Sequence, residues 1–200
     1  MHRTPRPGPR TFDPVRLGGL ETDAWAGYYR HEWGKCLRAF VGMVSVGFGM
    51  SRRRTLAGAW CVLRANQAWA PYPDNDPDSA REYMRRFYAL VSADGVLVLD
   101  PTRASQLEVE WWRLHRLHQR EDAASSEVLV ESLVALYSYV YSVPGASVQP
   151  AAEHRVAAMD LSDEWVEAGT RADDPLLRRE RLELVAAYTE LRRAVELVPN

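Results

Sequence analysis

After residue 20, apolar side chains recur three and four positions apart through most of the chain, the spacing that places them on one side of an α-helix. Trp25, Tyr29, Cys36, Phe40 and Met43 predict a first helix over 21–49, and Leu56, Trp60 and Leu63 a second over 52–69. A third, over 77–92, carries Tyr83, Met84, Phe87 and Val91, and a fourth, over 101–121, carries Leu107, Trp111, Leu114 and His118. Leu129, Leu133, Leu136 and Val140 mark a broad apolar face on a helix over 126–143. Two more are expected over 148–168 and 175–197.

Helix starts agree with this reading. Asp-Pro pairs stand at Asp76-Pro77, Asp100-Pro101 and Asp174-Pro175, where the carboxylate accepts from first-turn amides and proline gives up no useful donor. The stretch "GVLVLD" over 95–100 is the single β-like piece. Residues 1–19, rich in proline, glycine and arginine without apolar periodicity, read as a flexible arm before a helical domain over 20–200. The expected fold is an all-α, single-domain bundle of about seven helices with at most one short extended segment.

Composition narrows the class. With 46% hydrophobic and 26% charged residues, the chain has the balance of a folded globular domain. Its formal net charge of -2 lacks the basic excess expected of a nucleic-acid-binding domain, so no nucleic-acid partner is expected. The apolar run "AFVGMVSVGFGM" over 39–50 is shorter than the roughly 20 residues needed to cross a bilayer and reads as a core helix. No apolar signal follows the N-terminal arginines, so a cytoplasmic protein without membrane attachment is expected. Cys36 and Cys61 are too few for a disulfide framework.

Chemistry is sought where polar residues interrupt apolar stripes. His118 falls among Leu107, Trp111 and Leu114, with Glu110 at the edge of the face, and His115 lies on its flank with Glu108 and Trp112. His154 falls within Ala158, Leu161 and Trp165; Glu32 lies among Trp25, Tyr29, Cys36 and Met43; Gln67 stands beside Trp60 and Leu63. An inward carboxylate needs a donor, cation or metal beside it. Glu32, His115, His118 and His154 are therefore the candidate catalytic residues, and Glu32, His118 and His154 the candidate ligands of iron, another transition metal or a haem. Gln67 and the cluster Arg52, Arg53 and Arg54 are candidates for holding a cofactor or an anionic group.

Known signatures are incomplete. No Glu-x-x-His pair of a di-iron bundle occurs, and "HEWGK" fails the zinc-protease pattern at Lys35. The expected function is a buried, aromatic-lined polar site for a small molecule, with a metal- or haem-dependent oxidative enzyme as one form of it. The alternative is a helical interaction protein with a protein partner or a second copy, in which these histidines and Glu32 are structural.

Overall fold

A computed structural model describes residues 8–93, 97–121 and 123–196. Eight α-helices account for the regular structure of these residues: α1 (Pro14–Tyr29), α2 (Trp33–Phe48), α3 (Arg52–Trp69), α4 (Pro77–Ser92), α5 (Pro101–Glu121), α6 (Ser126–Tyr141), α7 (Gly145–Glu167) and α8 (Pro175–Glu196). No strand forms among them. Leu97 to Asp100 of the expected extended piece is irregular, with Leu97 buried and Val98 exposed, while Gly95 and Val96 lie outside the described residues.

The expected first helix is two helices. The chain turns at His31, which takes a left-handed φ of 56°, and re-enters a helix at Trp33. The two helices approach so closely that a Cβ on Gly27 would stand 2.9 Å from Cys36 Sγ. The arm also ends earlier than expected. Asp13 Oδ1 accepts from Val15 N at 3.0 Å and Arg16 N at 3.1 Å, so Asp13-Pro14 starts α1 as the other Asp-Pro pairs start α4, α5 and α8.

Each helix packs against the next in the chain, and α8 packs back on α1, which closes the eight into a ring. Contacts between helix ends give the polarity. Arg30 at the end of α1 donates to Thr170 O after α7, and Arg116 near the end of α5 donates to Trp69 O at the end of α3. The odd-numbered helices thus finish at one end of the ring. At the other end, Arg10 donates to Tyr141 O of α6 and Val195 O of α8, both at 3.1 Å, offsetting the partial negative charge of two helix C-termini. Phe12, 1% exposed, is driven in beside it and plugs that end of the interior.

No helix among the described residues is long and apolar enough to cross a membrane. Cys36 and Cys61 are free, and burial pushes the Cys36 thiol up to about 11.

Candidate functional site

Three helices each turn one charged side chain into the ring. On α1, Glu21 lies one turn from Leu17 and Gly18 on one side and Ala24 on the other, all buried. On α7, Arg155 belongs to the buried stripe of Val148, Ala151, Ala152, Met159 and Ser162. On α5, Glu108 is spaced three and four from Ala104, Ser105, Trp111 and Trp112, also buried.

Arg155 and Glu21 form a two-pronged ion pair: Nη1 donates to Glu21 Oε2 at 3.0 Å and Nη2 to Oε1. Tyr188 OH donates to the same Oε2 at 2.5 Å. The guanidinium carbon sits 5.3 Å from the ring centre of Trp111 and 5.8 Å from that of Trp25. Arg155 Nε is buried with no hydrogen-bond partner among the described residues, and the indole faces offer the guanidinium its remaining attraction. Burial works against the Arg155 charge, but Glu21, Tyr137, Tyr188 and Glu108 more than offset it and raise its pKa.

Glu108 accepts from Tyr88 OH at 2.6 Å and from Trp111 Nε1 at 3.1 Å. Burial raises its pKa against these donors and Arg155, so the neutral acid is favoured more than at the surface. Protein encloses Glu108 on all sides, and the accessible surface it keeps faces a cavity. Tyr137, which bonds Arg155, is pushed up to about 12, chiefly by burial.

The cavity has a volume of about 470 Å³ and runs along the ring interior. All eight helices contribute to its wall, which is dominated by aromatic and aliphatic side chains such as Trp25, Phe40, Phe48, Trp69, Met84 and Leu133. Glu21, Glu108 and Arg155 supply its inner polar groups. Nearer the ends of the odd-numbered helices, His115 Nε2 meets Asp163 Oδ2 at 3.1 Å, and Gln119 Nε2 bonds both Asp163 Oδ1 and Tyr29 OH. This gives the wall an oriented imidazole backed by a carboxylate, the pairing that fixes a histidine for proton transfer.

Of the candidate catalytic, metal-ligating and cofactor-holding residues expected from sequence, His115 alone reaches this cavity. His118 is turned away and held between Ala124 O at 2.8 Å (through Nδ1) and Asp160 Oδ1 at 3.1 Å (through Nε2). Burial disfavours its charge, but these two acceptors outweigh that and raise its pKa. His154, with 43% of its side chain exposed, bonds Glu183 of α8 through Nδ1 at 2.7 Å. Glu32 bonds Lys35 Nζ at the start of α2, in a separate surface cleft. Gln67 accepts from Arg64, and Arg52 and Arg53 are exposed on the outer side of α3; none of the three, nor Arg54, lines the cavity. The expected ligand set of Glu32, His118 and His154 is therefore not assembled, because each has a local partner. No group of three His, Cys, Asp or Glu side chains gathers as a metal cluster among the described residues.

Glu21, Glu108 and Arg155 were visible in principle. Arg155, not its neighbour His154, interrupts the stripe of small residues on α7, and Glu21 goes unnoticed when α1 is started seven residues late. Compared with known proteins, the chain matches no family model, no curated protein and no solved structure.

Proposed function

We propose that this protein binds an organic small molecule inside the helical ring. The cavity itself carries the reading. The ring interior keeps about 470 Å³ that protein does not fill, within the range of small-molecule sites. A molecule of matching shape would recover the contacts that the space forfeits. Water is a poor occupant along walls of indole, phenyl and aliphatic groups, which give it few partners. A drug-sized organic molecule suits both the volume and the lining.

The polar groups give that molecule an orientation. Glu108 offers a carboxyl group whose ionisation is disfavoured by burial, and Arg155 is already paired with Glu21. A hydroxyl or amine directed inward finds a hydrogen-bond partner at Glu108. His115, fixed by Asp163, and Glu108 are groups on the wall able to move a proton to or from such a ligand.

The test is enrichment of small molecules from a cell extract by the intact protein, read by mass spectrometry, beside Val44→Phe. Val44 is buried and lines the cavity, so the added ring projects into its volume. The expected result is a discrete compound class retained by the wild type and absent from Val44→Phe. Equal retention, or none by either protein, would overturn the reading.

A further inference from the structure

The cavity mouth lies where α1, α3 and α5 end, and the charges there have an arrangement unlike the rest of the molecule. Most arginines with described contacts pair with a carboxylate on the same helix or across a helix boundary. Arg116 and Arg120, one turn apart on α5 and both lining the cavity, have no carboxylate partner among the described residues. They are instead held by aromatic faces. Arg116 Cζ lies 4.6 Å from the ring centre of Trp69 and 5.7 Å from that of Tyr72, and Arg120 Cζ lies 4.8 Å from the same Tyr72 ring.

Two guanidinium groups on one phenol repel each other, and nothing in the fold requires both. Arg116 has a partial structural duty, donating to Trp69 O at 2.9 Å and Tyr28 OH at 3.3 Å. That uses two of its five donors. Arg120 makes no hydrogen bond among the described residues and is exposed. The nearby carboxylates are engaged elsewhere: Asp163 by His115, Gln119 and Tyr29, and Glu121 by Tyr72 OH at 3.4 Å. Burial and the neighbouring Arg120 both lower the Arg116 pKa, the direction expected when two cations are held together without an anion.

We infer that the ligand of the cavity is an amphipathic organic anion, its apolar or aromatic body inside the ring and its acidic head between Arg116 and Arg120. This rests on the cavity being a ligand site, and it adds the class of ligand. Planar guanidinium groups suit carboxylate and phosphate alike, since both present paired oxygens to the donor fork.

Two fluorescent probes that differ by one acidic group test it: 8-anilino-1-naphthalenesulfonate and its neutral parent, N-phenyl-1-naphthylamine. Each is titrated into wild type, Arg120→Gln and Val44→Phe. The expected result is saturable binding of both probes to wild type. Arg120→Gln should lose about tenfold in affinity for the sulfonate, in keeping with one partly exposed charge-assisted contact, and change little toward the neutral parent. Val44→Phe should lose both. Displacement of the sulfonate probe by decanoate or by decyl phosphate then distinguishes a carboxylate from a phosphate head. If Arg120→Gln affects the two probes equally or not at all while Val44→Phe abolishes both, the anion site is wrong and the cavity stands. If neither probe binds wild type, or Val44→Phe binds as well as wild type, the cavity reading falls and this inference falls with it.

Discussion

Glu180 shows most sharply what a single buried residue imposes on this fold. It is 0% exposed on α8, and neither carboxylate oxygen has a hydrogen-bond partner among the described residues. Burial, aided by the negative charge of Glu21, pushes its pKa up to about 9. The unfolded chain ionises this group near pH 4.5, whereas the folded one holds the proton until about 9, so folding takes up a proton and stability falls as pH rises between those values. Glu180→Gln keeps the shape and removes the penalty. It should be more stable than wild type by about 4 kcal/mol at pH 7.5, with the gain vanishing near pH 4; urea unfolding at the two pH values measures this, and equal stability at pH 7.5 would contradict it. Glu180 was readable as a misfit one turn before Leu184 and two before Ala187, a stripe of α8. Its lack of a partner was not, because pairing depends on which helices meet.

At the scale of the element, local chemistry was legible and its reach was not. The spacing of apolar residues predicts the bounds of α3, α4 and α5 directly, because each is framed by breakers and carries one regular face. The region 21–49 misleads because its apolar residues keep a helical period across the turn at His31, whose left-handed backbone leaves no proline or glycine as a marker. Residues 8–19 mislead for the opposite reason, since their proline and glycine content hides the same Asp-Pro start that marks other helices. Asp13 therefore has a measurable duty. Asp13→Ala should cost about 1 kcal/mol through the lost α1 cap, while Asp74→Ala, at an exposed site in the α3–α4 connection, leaves stability unchanged. Denaturant midpoints of the two variants decide it, and equal midpoints would remove the cap from the account.

For the whole molecule, the central fact is a closed ring whose interior is only partly packed. Closure depends on α1 lying against α8, where a Cβ on Gly18 would stand 2.7 Å from a Val185 methyl, so glycine permits the close approach that joins the two ends of the chain. The ring brings Glu21, Glu108 and Arg155 together from three helices far apart in the chain, which no local pattern can announce. A sequence shows that a polar residue faces inward; it does not show which inward residues meet. Of the candidates Glu32, His115, His118 and His154, only His115 lines the cavity. Glu32, His118 and His154 fall away because each finds a neighbour at the periphery.

The claim that this interior receives a ligand is tested most directly by thermal unfolding with and without N-phenyl-1-naphthylamine, a neutral aromatic molecule indifferent to the charges at the mouth. A ligand that binds only the folded ring stabilises it by mass action. At about one hundred times its Kd, the probe should raise the melting temperature of wild type by several degrees. Val44→Phe, whose added ring takes up part of the cavity, should melt at or above the wild-type temperature without probe and respond little to it. No shift in wild type, or the same shift in both proteins, would contradict a ligand site inside the ring.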